Sequence, residues 1–173
     1  MIFVTVGTQL AFDRLVSAVD DWAGRSGRDD VFAQIGPTQL QPSHVEHSRF
    51  VPPAQCRERM LAADAIVAHA GMGTILTALE LGKPLIVMPR RADLGEHRND
   101  HQMATVRRLA ELSAVTAAFD ADELGLRLDE LDRLAALPRI EPRAADSLLV
   151  GLRAFVLDQP ARLRVTASPS VAR

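Results

Sequence analysis

Ala65-Ile66-Val67-Ala68-His69-Ala70-Gly71-Met72-Gly73-Thr74-Ile75-Leu76 is the stretch on which the fold turns. A continuous apolar run, rather than an alternating one, marks a strand buried on both faces, as in a parallel sheet. The run stops at His69, two glycines follow, and Thr74 to Leu81 then has helical composition closed by Gly82. Strand, glycine turn and helix together make half of a βαβ unit.

The same alternation extends in both directions. Upstream, Ile2 to Val6 reads as a strand ending at Gly7-Thr8, and Leu10, Phe12, Leu15, Val16, Val19 and Trp22 form a helical stripe ending at Gly24. Val31 to Ile35 is a second strand, stopped by Gly36-Pro37, and Arg49-Phe50-Val51 a third before Pro52-Pro53. Ala54 to Ala62 is a helix with Met60 and Leu61 inward. Downstream, Pro84 to Met88 is a strand closed by Pro89. A helix begins at His97 or Asn99 and runs to Leu112, with Met103, Val106, Leu109 and Leu112 on one face. Ala114 to Phe119 resembles the last strand, and helical patterns cover 122–137 and 144–158. The expected fold is α/β: a doubly wound, Rossmann-like parallel sheet with helices on both faces.

A chain of 173 residues fits one domain, here 1–159, and 160–173, rich in Arg, Ser, Pro and Val without a period, reads as a disordered tail. The net charge of -2 offers no basic footprint, so nucleic acid is not an expected partner. A single cysteine, Cys56, cannot close an internal disulfide, and reads as a small buried apolar group; a cytoplasmic location follows most simply. No segment reaches the roughly 18 apolar residues of a spanning helix, so membrane contact is expected only peripherally, through a partner at the inner face.

Ligands of open parallel sheets bind beyond the carboxyl ends of the strands, which singles out three turns. In the first, Gly7-Thr8-Gln9, glycine allows close backbone approach and the Thr8 hydroxyl can meet a phosphate; the alternative is an ordinary tight turn. In the second, His69 to Thr74, free amides at a helix start suit a diphosphate. It departs from the dinucleotide fingerprint, since Leu76 stands where a third glycine belongs. His69 is either a phosphate donor or a satisfied structural histidine. The third, Arg90 to Gln102, is dense in hydrogen-bonding side chains and suits a polyhydroxylated ligand, the alternative being a solvated loop with capping residues. His97 and His101 are four apart and would share a helix face, but a His-Glu-x-x-His pattern and a third ligand cluster are missing, so no metal is expected.

Met1 to Thr8 with Phe12-Asp13-Arg14-Leu15, Ala63 to Thr74, Gly82 to Arg90, and Gly95-Glu96-His97-Arg98-Asn99-Asp100-His101-Gln102 resemble glycosyltransferase family 28 C-terminal domains over about residues 1 to 115. The Arg90 position and the Gly-Glu-His... Asp-His-Gln ending are most similar to PssE-type soluble subunits of split exopolysaccharide glycosyltransferases. A eukaryotic counterpart is the soluble subunit of the dolichol-linked N-acetylglucosaminyltransferase. The resemblance implies one donor-binding half of a GT-B enzyme that takes a UDP-sugar without a cofactor or metal. It implies a membrane-associated PssD-like partner that presents a polyprenyl-diphosphate-linked acceptor, because this length leaves no room for an acceptor domain.

Carried onto this sequence, the resemblance puts Gly7, Thr8, His69, Gly71, Gly73, Thr74 and Thr77 at the nucleotide and diphosphate, and Arg90, Asn99, Asp100, His101 and Gln102 at the sugar. Many such domains carry a ribose-binding glutamate six residues after the glycine matching Gly71; here that residue is Thr77, with Glu80 one turn on. The general base is expected on the partner, with His97 and Glu96 as local candidates. Arginines 90, 91 and 98 beside the sugar loop would suit an acidic donor. Competing readings are a non-catalytic activating subunit, a UDP-sugar epimerase-like protein, and a sugar-nucleotide hydrolase, for which no paired carboxylates present themselves.

Overall fold

The computed structural model describes residues 1–134, 139–141, 143 and 146–157. The chain divides into two compact units, Met1–Ile140 and Glu141–Arg173. In the second unit the described helix, α6, is Asp146–Val156; the tail expected over 160–173 lies outside the described residues.

The first unit is a sheet of six parallel strands, β1 (Ile2–Thr5), β2 (Val31–Gln34), β3 (Glu46–Ser48), β4 (Ala65–His69), β5 (Leu85–Met88) and β6 (Thr116–Ala117), in the order β3-β2-β1-β4-β5-β6. The order reverses direction between β1 and β4, which pair in register from Ile2 against Ala65 to Thr5 against Ala68. The helices are α1 (Asp13–Ser26), α2 (Pro53–Ala62), α3 (Met72–Leu81), α4 (His101–Glu111) and α5 (Ala121–Asp129).

Because side chains alternate along a strand, the central strands β1, β2, β4 and β5 each feed two cores. Ile2, Val4, Val67 and Met88 pack with Leu15, Val19 and Trp22 of α1 and Leu124 and Leu128 of α5. Phe3, Ile66, Ala68 and Val87 pack on the opposite face with Met60 of α2, Ile75 and Leu79 of α3 and Val106 of α4. This two-sided burial is why the strands read as continuous apolar runs.

Several boundaries differ from the expectations, each for a local reason. Gly24 does not end α1: it lies within the helix where His44 packs close, and a β-carbon there would come within 2.9 Å of that ring. The helix stops at Gly27, whose left-handed φ of 67° lets its amide bond back to Ala23 O. The third strand is Glu46–Ser48, not 49–51. Phe50 is exposed, and the amide of Val51 donates to the Gln34 side chain at 3.0 Å instead of to a strand. Leu10 and Leu61 are exposed rather than inward, while α4 begins at His101 and buries Val106 and Gln102, leaving Leu112 exposed. Cys56 is half-buried, and burial raises its thiol pKa. The pattern over 122–137 resolves into α5 and a 3₁₀ turn, Leu131–Arg133, with residues 135–138 outside the described set.

Candidate functional site

Strands β1 and β4 send their connections to opposite faces of the sheet, and a crevice opens between their carboxyl ends, the expected ligand position for this topology. It is a cleft of about 850 Å³. Of the site residues expected from the sequence, Gly7, Thr8, His69, Gly71, Gly73, Thr74, Thr77, Arg90, His97, His101 and Gln102 line it.

At one wall β4 runs straight into α3. Gly71 is the N-cap, in extended conformation, and no side chain caps the helix. The amides of Met72, Gly73 and Thr74 have no carbonyl within the helix to bond, so their N–H groups and the positive end of the helix dipole are free for an anion. A β-carbon on Gly73 would meet no atom within 4 Å, so a side chain here would stand in open space.

His69 lies between the two glycine turns. A β-carbon on Gly7 would come 2.7 Å from its Cε1, and one on Gly71 would overlap its Nε2. Its Nδ1 is buried without a hydrogen-bond partner. Burial, followed by the nearby Arg90 charge, lowers its pKa to about 4, so the ring is neutral at pH 7 and can present either a donor or an acceptor nitrogen.

Beneath the first turn is a polar network that sequence reasoning missed. Gln34 is buried at the end of β2; its amide donates to Thr5 Oγ1 and to Gly7 O, both at 3.1 Å, while its carbonyl accepts from the amide of Val51. The amide of Gly7 donates to Thr5 Oγ1 at 3.1 Å. With φ at 79°, Gly7 holds a conformation that residues with side chains rarely adopt. A single glutamine closing an apolar strand was the available signal.

The far wall is the segment from Arg90 into α4. Arg90 is 2% exposed, and its two terminal nitrogens donate to the carbonyls of Val6, Leu10, Ala11 and Glu96. Those donors are engaged by backbone carbonyls, while Arg90 itself lines the cleft. Glu96 is also committed. Its two oxygens pair with Arg14 Nε and Nη2 at 2.8 Å each, and it accepts from the amide of Arg91 at 2.9 Å. It does not line the cleft, so it is not placed to act as a base there.

Asn99 and Asp100 do not line the cleft either. Asn99 Oδ1 contacts His101 Nδ1, and Asp100 accepts from the amide of Ala92 at 2.9 Å, so both shape the turn before α4. Gln102 does face the cleft. Its carbonyl accepts from the amide of Arg90 at 3.1 Å, leaving its NH₂ group available. The rings of His97 and His101 meet edge to face, 4.6 Å between centroids, and His97 Nδ1 is buried without a partner. His97 precedes α4, so the two do not share a helix face; among the described residues no group of three or more His, Cys, Asp and Glu could hold a metal.

Thr77 lines the cleft, but its hydroxyl donates back to Gly73 O at 2.9 Å. Glu80 does not line the cleft and pairs with Arg57 of α2 at 3.5 Å. Arg91 pairs with Asp93 and, like Arg98, lies outside the cleft lining. None of the three arginines grouped with an acidic donor is thus a free cation in the cleft. No described helix is long and apolar enough to cross a membrane.

The family model described as glycosyltransferase family 28 C-terminal domain matches residues 1–143. A UDP-N-acetylglucosamine--N-acetylmuramyl-(pentapeptide) pyrophosphoryl-undecaprenol N-acetylglucosamine transferase of Sorangium cellulosum (strain So ce56) is 37% identical over 93 residues, 52% of this chain and 22% of that protein. The UDP-N-acetylglucosamine transferase subunit ALG13 of Homo sapiens is 30% identical over 118 residues, 62% of this chain and 10% of that protein. The matched regions are thus a small part of these relatives. Among solved structures, ALG13 by NMR has a TM-score of 0.57 at 20% identity, covering 87% of this chain and 93% of that one. MurG of Acinetobacter baumannii also has a TM-score of 0.57, at 19% identity, covering 78% and 42%. At these identities the likeness is one of fold.

Proposed function

The chain belongs to the glycosyltransferase family 28 C-terminal domain family, and from that premise we propose that it is the donor-binding subunit of a heteromeric, UDP-sugar-dependent hexosyl- or uronosyltransferase. The observation that carries this reading is the uncapped start of α3, with its free amides, beside the neutral imidazole of His69 in the β1/β4 crevice. A diphosphate seated there accepts hydrogen bonds from Met72, Gly73 and Thr74, and the sugar extends toward Gln102 and His101.

In the transfer, the acceptor hydroxyl oxygen attacks the anomeric carbon from the face opposite the diphosphate. The bond from that carbon to the β-phosphate oxygen breaks, and UDP leaves with the electron pair. The charge growing on the leaving oxygen is met by preorganised amides, which need no metal. The hydroxyl proton goes to a general base. Glu96 is held by Arg14, so the base is assigned to the partner, with His97 as the local candidate.

The partner is a membrane-associated, PssD-like chain that presents a polyprenyl-diphosphate-linked acceptor, which places this subunit at the inner face of the membrane in polysaccharide biosynthesis. The word "subunit" in the name of the human relative supports an assembly of this kind. Co-expression with such a partner should raise sugar transfer from near zero; full transfer by the pure chain would sink the split arrangement. A non-catalytic stimulating role is the second reading, favoured if the chain stimulates transfer yet binds no UDP.

A further inference from the structure

The loop over 6–12 joins β1 to α1; Val6 and Phe12 at its ends are buried, but Thr8, Gln9 and Leu10 are exposed, so apolar packing does not hold its middle. Its carbonyls converge instead on one side chain from the opposite wall. Val6 O and Leu10 O accept from Arg90 Nη2 at 2.9 and 2.8 Å, and Ala11 O accepts from Nη1. The same Nη1 reaches Glu96 O at 3.5 Å, and the guanidinium carbon lies 4.6 Å from the Phe12 ring centroid. The backbone amide of Arg90 meanwhile donates to Gln102 in the first turn of α4.

The geometry points to Arg90 as a positioning residue that clamps the phosphate-side loop after β1 to the sugar-side segment after β5, so that both walls of the cleft meet the donor in fixed register. The inference rests on the donor-cleft reading for its functional part. A charged group this buried is tolerated only when its donors are satisfied, and here the acceptors are carbonyls of the very loop that lines the cleft. Only a planar fork with two terminal nitrogens can serve these carbonyls at once. A lysine ammonium, a single point of charge with three donors, cannot span them.

The test uses the full chain and compares wild type with Arg90→Lys, which keeps the charge and most of the stem. Backbone deuterium uptake over 6–12 should rise in Arg90→Lys while uptake over 53–62, in α2, stays at the wild-type level. UDP affinity should fall by about tenfold, as expected when a preorganised wall is loosened. Phe12→Leu, which removes the ring beside the guanidinium, should raise uptake over the same loop and stands in if the lysine variant does not fold. Wild-type uptake over 6–12 in a folded variant overturns the role of Arg90. A wild-type chain that binds no UDP overturns the donor reading, and the uptake comparison still decides whether Arg90 orders the loop.

Discussion

His69 and Gly71 are in such close contact that a β-carbon on the glycine would overlap the imidazole Nε2. Two residues later the constraint is gone, since Gly73 faces open space. The two glycines of this turn therefore do different things: Gly71 makes room for the histidine, and Gly73 leaves room in the cleft.

Alanine at these two positions should separate the roles. Gly71→Ala is expected to displace His69, lower stability by about 1–3 kcal/mol, and weaken UDP binding by roughly tenfold or more. Gly73→Ala should fold with wild-type stability and lose affinity only through bulk in the cleft. Thermal melts and calorimetry on the pair check this; equal melting temperatures for both variants would contradict it.

The pH dependence follows from His69. Its folded pKa of about 4 lies below its ordinary value of 6.5, so between these values the unfolded chain binds the proton more readily. The contribution is fully present above pH 6.5 and is lost as pH falls through this window, with a slope of up to about 1.4 kcal/mol per pH unit. His69→Asn should flatten that part of the urea-stability profile. An unchanged profile would mean that another group carries the dependence.

Glu96 should prove structural. Replacing it with glutamine removes the charge that holds Arg14, at a cost on the order of 1–3 kcal/mol for a pair this sheltered. Transfer by the folded variant with its partner should keep its pH profile. Loss of transfer with the fold intact would make Glu96 the base after all.

Thr77 stands where the resemblance implies a ribose-binding glutamate, and it is half-buried on the cleft side of α3. Thr77→Glu should fold normally and retain UDP binding, with any gain restricted to UDP over its 2'-deoxy analogue. Abolished binding of both would show that the threonine itself is required.

The fold was legible where the signal is local. The β4–turn–α3 unit follows from an apolar run, a glycine pair and a helical stripe, all within one short segment. β3 was misplaced because it is a polar edge strand, Glu46–Ser48, while the apolar Phe50 beside it sits in solvent. At the site, glycine turns could be read, but the commitments of long polar side chains could not. Arg90 bonds carbonyls about 80 positions away and Glu96 an arginine 82 away, and no spacing rule carries such pairings. The sugar-side assignments of Arg90, Asn99 and Asp100 came mainly from resemblance, and these are the residues whose polar groups turn out to hold backbone or neighbouring side chains.

The most direct test of the donor cleft is a titration of the isotope-labelled chain with UDP, followed through its backbone amide resonances. Saturable shifts concentrated at Gly7, Gly71, Met72, Gly73 and Thr74 are the predicted result. Saturation without those shifts, or no binding at millimolar UDP, would contradict a donor site at the start of α3.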